Sequence, residues 1–512
     1  MTGRIPMIRV LALLASLLLA LAAPAAAQPA GTMTWGVHVT LATRWLDTVD
    51  TDAEITPFMV MYALHDALVK PMPGGLNTAS LAESWSMSKD GRIWEFVLRK
   101  GPRFHNGDPV TAEDVKFSFE RYRGAAAPLF KARVREVQVV DASRVRFVLT
   151  EPWPDFMTFY GTSASGAAWI VPKKYVEKVG EDGFRRAPVG AGPYKFVSFQ
   201  PGIELVLEAF TGYWRKTPSI KRVVMRSLPE ESTRAAALKR GEVDGAYFFN
   251  GPIAEDIRRT PGLTLTGIRT NGLFFLVFPE QWTPGSPWAD VRVRRAASMA
   301  IDRETINASE SLGFSAPTGG IVPRHQEFAL AIPPDPYNEK KAKALLAEAG
   351  YPNGFDAGDF TPYPPYNGMG EAIANNFAAV GIKARVRVME RAAFLSAWRD
   401  KKLKNVFVGA TGAAGNASTR IEPYATGKGV NSYGTIPEIE NLFQRQLLEM
   451  DRKKREDMLF QIQRLIAERA MFVPIWENGF IRAYGARVEE PGLTLIPAFP
   501  YSGPLEDVRL KK

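Results

Sequence analysis

The clearest periodic signal in the chain is an alternation. Trp94, Phe96 and Leu98 take every second position, with Glu95, Val97 and Arg99 between them, which predicts a strand ended by Lys100-Gly101. Asn106-Gly107 predicts a turn. Thr111-Ala112-Glu113-Asp114 then predicts a capping-box start for a helix that carries Val115, Phe119 and Tyr122 on one face. Arg144 to Pro152 predicts another strand, closed by its proline. Further on, YKFVSF and ELVLEAF predict paired strands, VVMRSL follows them, and a helix from about Ser232 to Arg240 ends at Gly241. In the C-terminal half Asn338 caps a helix through Leu345 and Leu346, which Gly350 and Pro352 stop. Glu371 to Val380 predicts a helix, Lys383 to Val388 a strand, Pro437 to Arg469 two helices and Met471 to Trp476 a strand. This alternation predicts an α/β protein with several β-α-β passages in each half.

At 512 residues the chain is too long for one core, so two or three lobes are expected. The first 27 residues stand apart. Arg4 and Arg9 precede an apolar run from Leu11 to Ala23, and Ala25-Ala26-Ala27 offers a cleavage site, so residues 1–27 are expected to be a signal peptide. That run is short for a membrane span. There is no cysteine, which removes disulfides, thiolate metal sites, cysteine nucleophiles and a lipid-bearing cysteine. The expected location is the periplasm of a Gram-negative bacterium, without a lipid anchor. The net charge of +10 is spread rather than clustered, which argues against nucleic acid as a partner.

The stretch VFVGATGAAGNASTR, Val406 to Arg420, has the outline of a strand leading into a phosphate loop. It lacks the lysine of a P-loop, and its glycines at 409, 412 and 415 do not have dinucleotide spacing. Gly190-Ala191-Gly192 and Gly368-Met369-Gly370 are lone pairs of the kind turns use. The four histidines, His38, His65, His105 and His325, are scattered, so no metal site is expected. No G-x-S-x-G elbow occurs. The expectation is a protein that is not an enzyme and needs no cofactor.

Ala82-Glu83-Ser84-Trp85, Asp90-Gly91, WEFVLRKG and FHNGDPVTAEDVKFSFER together resemble the signature of the peptide-type (family 5) solute-binding proteins of ABC importers. The segments at Val189 to Gly202, Ser232 to Ala246, Asp290 to Ile306 and Tyr337 to Phe355 extend the resemblance over essentially the whole chain after residue 27. The resemblance implies a two-lobed periplasmic binding protein of class II, cluster C type, with an extra inserted domain. Domain I would comprise residues 28–58, 176–271 and 480–512, domain II residues 59–175 and domain III residues 272–479. It also implies a monomer that captures a small molecule or peptide by hinge closure and delivers it to the transmembrane subunits of an ABC permease. An exported hydrolase on a similar scaffold is the alternative.

By the same resemblance, ligand contacts are expected near Glu54 and Ile55 and in the loop that begins at Gly409. In peptide binders that loop carries an aromatic residue and then an acid that pairs with the ligand's α-ammonium. Here Ala410 follows Gly409, and no acid occurs between Asp400 and Glu422. A buried ammonium without a carboxylate is costly, so the loop selects against free peptide N-termini. Thr411, Asn416, Ser418, Thr419 and Arg420 would suit a neutral polar or anionic group better. Trp45 and Tyr424 are candidate aromatic walls. The expected solute is a short peptide or a non-peptide polar or anionic molecule.

Overall fold

Two strands are longer than the sequence pattern predicts, and they organise the molecule. Leu263–Val277 and Phe472–Gly485 run antiparallel along most of their length. The computed structural model describes residues 28–49, 55–124, 126–161, 165–412, 415–496, 499 and 502–511. The expected signal peptide and Glu54 lie outside these residues. Among the described residues no helix is long and apolar enough to cross a membrane.

One eleven-stranded sheet passes through both lobes. Its first-lobe half is, in order, Tyr194–Gln200, Glu204–Ala209, Ile220–Ser227, Ala30–Val37 and Gly245–Tyr247, the last of which pairs with Arg482 to Tyr484. Its second-lobe half adds Val406–Thr411, Phe355–Thr361 and Ile382–Val386 beyond the other end of Leu263–Val277, and the eleventh strand, Ala316–Pro317, pairs with Glu477 and Trp476. The ladder between the two long strands shifts register between Arg269 and Leu273. Thr270, Asn271 and Gly272 therefore leave the pairing where the chain passes from lobe to lobe. The Thr270 hydroxyl accepts from Gly272 N at 2.8 Å and donates to Asn478 O at 3.1 Å, replacing part of the lost ladder.

Period-two burial explains why the second lobe has two cores. Phe274 and Leu276 face a core shared with the helices Val291–Ala300 and Asn367–Ala379. Leu273, Phe275 and Val277 face another, shared with Arg391–Arg399 and Arg452–Glu468. Val406 and Val408 join the first and Phe407 the second, so this apolar run is buried on both faces. In the first lobe a separate four-stranded antiparallel sheet, ordered Ala82–Met87, Ile93–Leu98, Arg144–Leu149 and Val134–Asp141, packs its aromatic face onto the same core as the large sheet.

Local signals translate directly. Thr111 donates through both its N–H and its hydroxyl to Asp114 Oδ2, at 2.9 and 2.7 Å, and the helix Ala112–Arg121 follows. Asn338 Oδ1 accepts from Lys341 N at 2.9 Å at the head of Glu339–Glu348. The Gly190-Ala191-Gly192 turn lies against the end of the helix Ile55–Leu64. A Cβ on Gly190 would sit 1.8 Å from the Leu64 carbonyl oxygen, so these glycines serve close backbone packing. The stretch from Val406 is not one loop. It is a strand through Thr411, a short connection, and the helix Ala417–Ala425.

Candidate functional site

A cleft of about 880 Å3 opens where the long strands cross between lobes. Its walls are set at the carboxyl ends of sheet strands, the usual ligand position in open α/β sheets. His38 follows Ala30–Val37, Phe248 follows Gly245–Tyr247, Tyr363 lies beyond Phe355–Thr361, and Gly412 follows Val406–Thr411.

On the first-lobe wall, Phe248 takes a left-handed backbone at φ +68°, a strained conformation for a bulky residue. The buried Arg234 guanidinium holds it there. It donates to the carbonyls of Tyr247 and Phe248 at 2.9 and 2.7 Å and to those of Leu228 and Pro229 at 2.7 and 2.9 Å. These four acceptors stand in for water around a charge whose pKa is lowered by burial. The His38 ring stacks on Phe248 at 4.6 Å and 10°. Burial, then Arg234 and Arg391, bring the His38 pKa down to about 3, so the ring is neutral at physiological pH.

Aromatic rings build the second-lobe wall. Tyr366 packs on Phe274 with centroids 4.7 Å apart and reaches within 6.5 Å of Phe248 across the cleft. The Arg391 guanidinium lies over Tyr363 at 5.5 Å. Between the walls, His38 Nδ1 and Asn367 Oδ1 are enclosed without a hydrogen-bond partner among the described residues. Buried polar atoms are nearly always paired, so two such atoms around one cavity mark places for a ligand's donors and acceptors. Carboxylates reach the cleft from Glu230, Glu231 and Glu390. Burial raises the Glu231 pKa, against the lowering pull of the Asn250 N–H and Arg234. The cleft thus holds acids that the Gly409 loop lacks.

The residues singled out from sequence are spread over several settings. Thr411 lines the main cleft. Gly409 sits one step back inside the strand, where a Cβ would meet Phe275 and Trp398 at 3.0 Å. Thr419, Arg420 and Tyr424 line a smaller cavity behind Ala410 to Gly412. Ile55 opens the helix Ile55–Leu64, and Trp45 lies in the first-lobe core. Asn416 caps Ala417–Ala425 by accepting from Thr419 N at 3.1 Å, while its amide donates to Asp155 of the other lobe. Ser418 accepts from Gln446 Nε2 at 2.9 Å. Sequence reading missed His38, Phe248, Tyr366, Asn367 and Arg391. A usable signal existed for Tyr366 alone: Tyr363-Pro364-Pro365-Tyr366 is an aromatic and proline cluster directly after a strand.

Comparison with known proteins adds a family. The model of the bacterial extracellular solute-binding proteins, family 5, matches residues 78–432. The dipeptide-binding protein of Escherichia coli K12 is 28 % identical over 428 residues, covering 76 % of this chain and 79 % of that one. Heme-binding protein A of Haemophilus influenzae is 26 % identical, with 77 % and 78 % covered. Among solved structures, the A. tumefaciens R10 binding protein AgaA in complex with agropinic acid superposes with a TM-score of 0.73 at 26 % identity, covering 94 % of this chain and 98 % of that one.

Proposed function

Because this chain belongs to the bacterial extracellular solute-binding proteins of family 5, we propose that it is the receptor of an ABC importer. It encloses a small polar solute between its lobes by hinge closure and presents it unchanged to the transmembrane subunits of a permease. The observation that carries this reading is the cleft itself: a cavity walled by both lobes at their crossing point, with two enclosed polar atoms lacking partners among the described residues. The break at Thr270 to Gly272 supplies a hinge, since few ladder bonds there resist a change in backbone angles. The receptor acts in the periplasm, exported by its N-terminal 27 residues, as a monomer.

The charges of the cleft favour a zwitterionic solute, either a short peptide or another amino-acid derivative. Glu230 and Glu231 line it beside Arg234 and the Phe248 ring, and Glu390 and Arg391 line it beside the Tyr363 and Tyr366 rings, so both signs of charge are within reach of a solute. Dipeptide, heme and agropinic acid, named for relatives of this chain, differ in shape but all carry carboxylates. A thermal-shift panel of dipeptides, oligopeptides, opines, oligosaccharides and phosphodiesters tests the assignment. A solute at one hundred times its Kd adds about 2.7 kcal/mol of stability, enough for a clear shift. Stabilisation by peptides or opines and not by oligosaccharides is expected. Chemical conversion of a stabilising solute would overturn the receptor reading in favour of a hydrolase.

A further inference from the structure

The charged side chains that line the cleft come from both lobes: Glu230, Glu231 and Arg234 from the first, Glu390 and Arg391 from the second. We propose that a zwitterionic solute is held across the lobes, its ammonium on Glu230 and its carboxylate on Arg391, so that the solute itself links the two walls. The inference rests on the receptor reading above and names which group of the solute goes to which lobe.

Three of these side chains already serve the protein's own backbone. The Arg234 guanidinium is taken up by the carbonyls of Leu228, Pro229, Tyr247 and Phe248. Glu231 Oε1 accepts from Asn250 N at 2.7 Å. Glu390 Oε2 accepts from Ala393 N at 3.0 Å and caps the helix Arg391–Arg399. Glu230 and Arg391 are left, one on each lobe. Glu230 stands at the head of the helix Glu231–Lys239, yet its side chain makes no capping bond there and no ion pair among the described residues. The Arg391 guanidinium also makes no ion pair among them; it lies over Tyr363 at 5.5 Å and donates to Pro364 O at 3.4 Å. A guanidinium stacked on a ring keeps N–H groups along its edge for a carboxylate. The backbone that carries Glu230 is tied to the aromatic wall, because Arg234 joins Pro229 O to Phe248 O. The two walls are close. Phe248 and Tyr366 have centroids 6.5 Å apart, and the charge of Arg391 is felt at His38 of the first lobe, whose pKa falls through burial, then Arg234, then Arg391. A short solute therefore reaches both walls. Glu230 and Arg391 do not pair with each other, so a solute that carries both charges supplies the link between them. A solute with one charge would engage one lobe alone.

The test uses the dipeptide Ala-Leu and the opine mannopine, each beside its α-carboxamide, which lacks the carboxylate, and its N-acetyl form, which lacks the ammonium. Affinities are measured by calorimetry on wild type, Glu230→Gln and Arg391→Gln, with thermal melts to confirm folding. Wild type is expected to bind at least one of the two solutes and to lose at least about fivefold in affinity with either of its blocked forms. Arg391→Gln is expected to bring the loss on forming the carboxamide to within about twofold while the loss on acetylation remains; Glu230→Gln is expected to do the reverse. Indifference of wild type to either block, or a loss that persists in its paired variant, would overturn the assignment of charges to lobes and leave the receptor reading standing. Failure of both Ala-Leu and mannopine to bind wild type would overturn the zwitterion-receptor reading, and this assignment with it.

Discussion

Replacing Asp155 with alanine should weaken solute binding although no atom of Asp155 lines the cleft. Asp155 precedes the short helix Phe156–Tyr160 of the first lobe, and Arg455 lies on Arg452–Glu468 of the second; each side chain is 4 % exposed. Arg455 Nη2 donates to Asp155 Oδ2, Asn416 Nδ2 donates to Asp155 Oδ1, and Arg455 Nε donates to Gln446 Oε1 at 3.0 Å. A buried ion pair thus joins the lobes in the conformation described here. Removing one partner of such a pair costs about 3–5 kcal/mol, because the other charge stays buried and uncompensated. On the proposed hinge motion, opening the cleft lets Arg455 regain water, so the cost falls on the closed form. At about 1.4 kcal/mol per factor of ten, the closed-to-open ratio drops by roughly two to three and a half orders of magnitude. Wherever closure limits binding, the apparent Kd rises by a comparable factor. Calorimetry with a stabilising solute, beside urea unfolding without solute, measures both quantities. A Kd within twofold of wild type, together with a large fall in ligand-free stability, would refute the reasoning. The pair would then be a permanent strut rather than a closure contact.

Other consequences concern the fold and the cleft. His65 and His105 are held near 4 and His38 near 3, with burial the largest cause for each. Between those values and about 6.5 the unfolded chain takes up protons that the folded one refuses. Stability should therefore fall as pH drops from 6.5 towards 5, by up to about 1.4 kcal/mol per pH unit for each histidine; a flat urea midpoint over that interval would contradict this. Asp66 accepts from Ser80 Oγ, Tyr213 OH and Trp214 Nε1 at 2.6, 3.0 and 2.8 Å and pairs with buried Lys70 at 2.8 Å. Asp66→Ala should lower the urea midpoint by the equivalent of about 3 kcal/mol or more, with the slope unchanged. Gly190→Ala should block folding or cost more than about 3 kcal/mol, because its Cβ meets backbone rather than a movable side chain. Tyr366→Ala should raise the solute Kd at least about tenfold while the melting temperature of the free protein changes little, since the ring is a wall between lobes.

Much of the secondary structure was legible because its causes are local. The Thr111–Asp114 box, the Asn338 cap and the alternation at Trp94 to Leu98 each depend on neighbours within a few residues. The long strands were hidden for the opposite reason. Thr270-Asn271-Gly272 and Asn478-Gly479 look like turns, yet they lie at the crossing between lobes, where the chain must leave the regular ladder and continue. In the glycine-rich stretch, Ala410 to Gly412 line the cleft. Two of its polar residues have structural partners: Asn416 is a helix cap and a bridge between lobes, and Ser418 accepts from Gln446. The main walls escaped notice because His38, Phe248, Tyr366 and Arg391 come from four distant segments. Only strand order brings them together, and no spacing in the sequence encodes it. The acids Glu230, Glu231 and Glu390 come to the cleft from distant segments in the same way, so the absence of an acid from the loop describes the loop alone.

Small-angle scattering with and without whichever panel member raises the melting temperature, on solute recovered afterwards and weighed by mass spectrometry, tests the central claim most directly. A receptor that closes on its solute predicts a smaller radius of gyration on binding and recovery of the solute intact. Binding with no change in the radius of gyration, or recovery of a converted product, would contradict it.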